Sequence, residues 1–114
     1  MLLRIRTDFS TAPGPRACEE GKHSGEEFRK TVLAPRVRDA IDRKESLLID
    51  LDGTAGYGTS FLEESFGGLI REEGFRLAQL KETIRYKSDD EPELIEEIEA
   101  YMSSAEAAVG KERS

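Results

Sequence analysis

Leu47–Ile70 reads LLIDLDGTAGYGTSFLEESFGGLI, and its order of residue types decides the fold. Leu47–Leu51 is apolar except at Asp50, a pattern that suits a central strand covered on both faces better than an edge strand. Gly53, Gly56 and Gly58 follow as a turn. From Ser60 to Glu73 the apolar residues Phe61, Leu62, Phe66, Leu69 and Ile70 then recur at helical spacing, with Glu63, Glu64, Arg71 and Glu72 on the other side. Gly67-Gly68 costs such a helix about 1 kcal/mol per residue against alanine, which close approach to the sheet would offset. Gly74 is the stop signal.

Working outward, Leu3-Arg4-Ile5-Arg6 alternates apolar and polar and reads as a first strand. Pro13, Gly14 and Pro15 force an irregular loop, with room for an extra strand between Phe9 and Cys18. Ser24 and Glu27 stand three apart as a capping box, and the helix they open carries Phe28, Val32, Leu33, Val37, Ala40 and Ile41. Pro35 kinks that helix or restarts it. Thr83–Lys87 reads as a third strand. A last helix, capped by Asp89 or Asp90, has Leu94, Ile95, Ile98, Tyr101 and Met102 on one stripe.

The expected architecture is α/β, a single domain over residues 1–108 with a disordered tail at 109–114. Its mostly parallel central sheet has three to four strands, with helices chiefly on one face. Sheet order 1-2-3 with right-handed crossovers puts the first two helices on the same side. Arg4, Arg6, Arg85 and Lys87 then form a basic, less covered face that the acidic last helix could shade.

Composition narrows the function. The 114 residues are 37% hydrophobic and 36% charged, with no run of about eighteen apolar residues to span a membrane. The start has an arginine inside its apolar patch and no small-residue cleavage pattern, which argues against a secretory leader. Cys18 is the single cysteine, which points to a reducing cytoplasm, and with His23 it cannot fill a zinc shell without carboxylates. Residues 1–87 hold 15 basic and 15 acidic side chains, and the remainder supplies the whole net charge of −7. A neutral body with an acidic end is not the electrostatic footprint of a nucleic-acid binder.

The chemistry of Leu47–Ile70 has three readings. Asp50-Leu51-Asp52-Gly53-Thr54 matches the first motif of the haloacid-dehalogenase-like phosphatases, in which one aspartate attacks phosphorus, the other moves a proton and magnesium shields the charge. The longer α/β body that such enzymes need, with a lysine and a second acidic pair, is absent from so short a chain. A magnesium-dependent phosphohydrolase using Asp50 and Asp52 is therefore the alternative. A nucleotide cradle at Gly53, Gly56 and Gly58 lacks the P-loop lysine, and Asp50, Asp52, Glu63 and Glu64 crowd it with negative charge.

The third reading is a resemblance. DFSTAPGPR, HSGEEFRKTVLAPRV and LLIDLDGTAGYGTSFLEESFGGLI, spanning about Arg4 to Lys87, resemble the bacterial STAS-like domains of unknown function, relatives of the anti-sigma-factor antagonists. The most specific piece is Gly56–Glu64, followed by Phe66-Gly67-Gly68-Leu69. The resemblance implies a non-enzymatic α/β module in signal transduction, without cofactor, whose partner is a histidine-kinase-like ATPase or a related regulator. In the antagonists a serine after the central strand, at the start of the next helix, is phosphorylated by the partner kinase. That place falls at Thr59, with Ser60 beside it, although Gly58-Thr59-Ser60 departs from the aspartate-serine pattern usual there. Otherwise these hydroxyls are only candidates for the N-cap.

The expected partner-binding loop is thus Gly56, Tyr57, Gly58, Phe61, Glu63 and Glu64, supported by Asp50, Asp52, Arg16 and Ser24. Arg16 is expected to pair with Asp50 or Asp52 and pin the loop. A self-associating subunit using the sheet edge or last helix is the remaining option.

Overall fold

The computed structural model describes residues 1–113. Three parallel strands form one sheet in the order β1 (Leu2–Arg4), β2 (Leu47–Asp50), β3 (Ile84–Lys87). The register pairs Leu3 with Ile49, Leu47 with Ile84 and Ile49 with Tyr86, so these residues share one face. Leu3, Leu47, Ile49 and Ile84 are buried there. Leu2, Arg4, Leu48, Asp50, Arg85 and Lys87 form the other face, where Leu2 is 41% exposed and Arg4, Arg85 and Lys87 are exposed. The helices thus cover one face, because two crossovers of the same hand in the same direction cannot alternate sides.

Three other elements differ from expectation. The first strand stops at Arg4, and Ile5–Asp8 makes a helical turn that buries Ile5 and swings Arg6 towards the end of β2. No fourth strand forms between Phe9 and Cys18, and the sheet stays three-stranded. A helix at Leu77–Thr83 (α3) precedes β3. Its brevity and two apolar anchors, Leu77 and Leu80, give it little periodicity to read.

Helix α1 runs continuously over 25–43, as an α-turn Gly25–Phe28, a π-turn Arg29–Leu33 and an α-segment Ala34–Arg43. Pro35 lies directly after the π-turn, in the first turn of that last segment, and cannot donate a backbone bond to the turn before it. The widened turn before it keeps the helix from breaking. Helix α2 has the same construction over 59–71, with its π-turn at Glu63–Gly67. Phe61, Leu62, Phe66, Leu69 and Ile70 are all buried, each such side chain contributing about 1.5–3 kcal/mol. Gly68 permits an approach to another helix instead of the sheet, since a Cβ there would lie 2.6 Å from Nη1 of Arg29.

Helix α4 (Leu94–Arg113) packs on α2 on the covered face and does not shade the basic side. Leu94, Ile98, Met102 and Ala105 are buried in the common core, and burial of this stripe decides which side the helix takes. Asp89 and Asp90 do not cap it. Their backbone N–H groups donate to Asp52 instead. Residues 109–113 continue the helix where a disordered tail was expected, and Val109 still packs on the core. Ser114 lies outside the described residues.

Candidate functional site

The site is built from the end of β2. Asp50 is 4% exposed, and its Oδ2 accepts a hydrogen bond from Nη1 of Arg6 at 2.9 Å. Its Oδ1 accepts from the Asp52 N–H at 3.0 Å, which folds the chain back on itself. Burial pushes the Asp50 carboxyl up, but Arg6 and the Asp52 amide outweigh it and hold the acid below its ordinary range. The same guanidinium reaches the Asp52 carbonyl at 3.1 Å. Gly53 then takes φ +82°, and a Cβ there would lie 2.5 Å from Cδ of Arg6.

Asp52 ties the turn to β3. Its carboxylate takes Nζ of Lys87 at 2.7 Å and the N–H groups of Asp89 and Asp90 at 3.1 and 2.9 Å. In return Asp90 accepts from Gly53 N–H at 3.0 Å. Lys87 and then the Asp90 amide pull the Asp52 carboxyl down to about 2. Gly56 N–H donates to Oγ1 of Thr54, and Ala55 N–H to the Thr11 carbonyl. Tyr57 folds over the turn, its hydroxyl donating to the Leu51 carbonyl at 2.7 Å. Burial pushes that phenol up to about 12.

Beyond this braced loop, Gly58 is the N-cap of α2 at φ −75°, and no side chain caps the helix start. Neither Thr59 nor Ser60 is the cap. Both sit inside the first turn, exposed, and neither hydroxyl meets a hydrogen-bond partner among the described residues. Phe61 points inward, 5.9 Å from the Tyr57 ring and 5.7 Å from the Phe28 ring, and Phe9 joins the cluster at 5.0 Å from Phe28. Those rings fix the helix start against α1.

Glu63 and Glu64 are tied into the protein's own charge network. Arg16 Nη1 meets Glu63 at 2.5 Å and Glu64 at 3.4 Å, and Arg71 meets Glu63 at 2.8 Å. Arg16 therefore pins the first loop to α2, not to Asp50 or Asp52, which Arg6 and Lys87 occupy. Its backbone carbonyl also accepts from Glu26 N–H, while Pro15 accepts from Gly25 N–H. Ser24 is buried and caps α1, accepting from Glu27 N–H at 3.0 Å. The site residues that sequence reasoning missed are Arg6, Arg29, Arg71 and Lys87. Each acts across a long stretch of chain, and no local spacing marks it.

A parallel sheet that covers one face with helices, and carries an exposed helix start beyond its central strand, defines a small α/β domain of STAS-like type. The family model for STAS-like domains of unknown function matches residues 24–94, more than half of the chain, which belongs to that family. The matched span runs from the Ser24 cap to the first residue of α4. Comparisons with curated proteins and with solved structures gave no match. Among the described residues no helix is long and apolar enough to cross a membrane.

Proposed function

We propose that this chain is a non-enzymatic regulatory module in the cytoplasm. It binds a protein partner around Gly56–Glu64 and is switched by phosphorylation of Thr59 or Ser60. The observation that carries the reading is the exposed, unengaged pair of hydroxyls in the first turn of α2, beside a loop whose polar groups are largely committed. Such a pair is open to a kinase without local unfolding. The partner fitting the family's antagonist relatives is a histidine-kinase-like ATPase or a regulator tied to one.

The electrostatics support a release switch. Arg16, Arg29 and Arg71 compensate Glu63 and Glu64, so the helix start is close to neutral. A phosphate adds about −1.5 to −2 charges at pH 7. A partner surface fitted to Tyr57 and two neutral hydroxyls would meet that charge at a desolvation cost. The magnesium phosphohydrolase reading draws less support, since Asp50 is buried against Arg6 and Asp52 already accepts three donors.

The test is incubation of the full chain with histidine-kinase-like ATPases encoded beside it, plus ATP, followed by intact mass and calorimetric binding. One added phosphate, lost in the Thr59→Ala/Ser60→Ala variant and abolishing the complex, is expected. No phosphate and no complex would end the proposal, as would magnesium-dependent turnover of a phosphate ester that Asp50→Asn removes.

A further inference from the structure

The two edges of the sheet are finished differently. In a parallel ladder the backbone groups of alternate residues face opposite edges. Leu48 N–H donates to the Met1 carbonyl, so Leu2 and Arg4 face outward from β1. The chain's own side chains close that edge. Arg36 Nη1 donates to the Leu2 carbonyl at 3.2 Å, Arg4 N–H donates to Oδ2 of Asp8 at 2.9 Å, and Thr7 Oγ1 reaches the Arg4 carbonyl at 3.4 Å. Covering an edge in this way prevents pairing with another chain.

At β3, Leu51 N–H donates to the Lys87 carbonyl at 2.8 Å, so Lys87 and Arg85 face β2 and Tyr86 faces outward. Ile84 is also turned outward but is satisfied. Its N–H closes α3 on Leu80, and its carbonyl takes Nη1 of Arg85 at 2.9 Å. The Tyr86 N–H and C=O meet no partner among the described residues. An added strand from another protein would satisfy Tyr86 but bring a new open edge of its own, one strand further out. A second copy joined edge to edge does not. With the two-fold axis at Tyr86, each Tyr86 N–H donates to the other's carbonyl, the mutual pair of an antiparallel ladder. The two three-stranded sheets become one, and both of its outer edges are the closed β1.

The side chains of the open face fit the same axis, which sets Arg85 opposite Lys87 of the other copy. Lys87 brings no free charge there, because its Nζ lies 2.7 Å from Asp52 and 3.0 Å from Asp89. One lysine between two carboxylates leaves a surplus negative charge, and Asp89, 79% exposed, carries it at the surface. Arg85 forms no ion pair among the described residues, its Nη1 donating only to the Lys81 and Ile84 carbonyls. Each copy thus offers one unmatched cation and one surplus acid, and the axis brings them together twice. Such cross-strand pairs contribute about 0.2–1 kcal/mol each. Beside Tyr86 a groove of about 360 Å³ is bordered by Lys81 from α3 and Glu99 from α4, so its rim carries both signs. We propose that the protein forms a two-fold dimer by antiparallel pairing of its β3 edges. Main-chain bonds at Tyr86 give the register, and Arg85 with Asp89 gives the selectivity for a second copy. This contact lies apart from Thr59 and Ser60, so its failure would leave the phosphorylation reading intact.

The test is sedimentation equilibrium of the full chain between about 1 µM and 1 mM, with amide exchange followed by NMR over the same range. The mass is expected to double from 12.8 kDa as concentration rises, and exchange of the Tyr86 amide to slow in step. Arg85→Glu and Asp89→Arg, both at exposed positions, should each weaken the dimer about tenfold. The double variant should restore it, since the exchanged charges meet again across the axis. Arg85→Gln and Asp89→Asn serve if a reversed charge folds poorly, each then weakening the dimer about threefold. A monomer at about 1 mM would overturn the proposal and leave the edge to another chain. So would a dimer in which Tyr86 exchange is unchanged, or a double variant no tighter than the single ones.

Discussion

Arg29 Nη1 donates both to the side-chain carboxylate of Glu64 and, at 3.0 Å, to its main-chain carbonyl. The guanidinium is nearly inaccessible, and its Nε reaches Glu73 at 3.1 Å. Arg29 opens the π-turn of α1, and Glu64 lies in the π-turn of α2, so the pair joins the two irregular turns. Gly68 leaves the room the arginine occupies. Breaking such a buried pair from one side exposes an uncompensated charge to the interior, at a cost of about 3–5 kcal/mol.

Arg29→Met is therefore expected to destabilise the protein by about 3–5 kcal/mol in urea unfolding. Glu64→Gln should cost less, because Glu73 remains to hold the guanidinium. The Arg29→Met/Glu64→Leu double variant should lose less than the sum of the single changes. Strict additivity would show that the two side chains act independently.

Gly53 and Gly58 should respond in opposite directions. Gly53 holds φ +82° against Arg6, so Gly53→Ala is expected to cost about 1–3 kcal/mol. Gly58 is extended, with nothing within 4 Å of an added Cβ, and serves as a cap without a side chain. Gly58→Ser should gain a few tenths of a kcal/mol by accepting from a first-turn amide. Melting temperatures of the two variants against the parent check both signs.

Asp52 makes stability depend on acid pH. Lys87 and the Asp90 amide pull its carboxyl from 3.8 to about 2 in the folded protein. Because the folded value lies below the unfolded one, its contribution is present above about pH 4 and lost as pH falls towards 2. Asp52→Asn should flatten the part of the acid limb that the parent shows in melts between about pH 5 and 2. An unchanged slope would mean that the carboxylate is equally solvated in both states.

Tyr86 carries a buried hydroxyl with no hydrogen-bond partner among the described residues, and burial pushes its phenol well above the ordinary range. Removing an unsatisfied buried group while keeping the ring should not destabilise. Tyr86→Phe is expected to be neutral or to stabilise by up to about 1 kcal/mol in denaturant unfolding. A clear loss would reveal an ordered water or other partner at that oxygen.

The same residues show where reading the chain succeeded and where it stopped. Leu47–Leu51, the stripe Phe61 to Ile70 and the alternation at Ile84–Lys87 were legible because each pattern repeats within one element. Helix α3 was not, because Leu77–Thr83 is too short for a period to emerge. Arg16 was expected near Asp50 or Asp52 but meets Glu63 and Glu64. Nine other arginines and lysines precede α2 within the span from Arg4 to Lys44, and a carboxylate's sign does not say which of them it will meet.

Periodicity and turn chemistry alone determined that this protein alternates strands and helices around a parallel sheet, and that its central strand ends in a glycine turn. Those signals act over a few residues, within reach of local sterics and burial. Only tertiary packing decided that Arg6 seals Asp50, that Arg29 joins two π-turns, and that β1 is closed while β3 stays open at Tyr86. Such outcomes depend on how distant elements approach, and like-charged residues that look equivalent along the chain occupy very different surroundings in space.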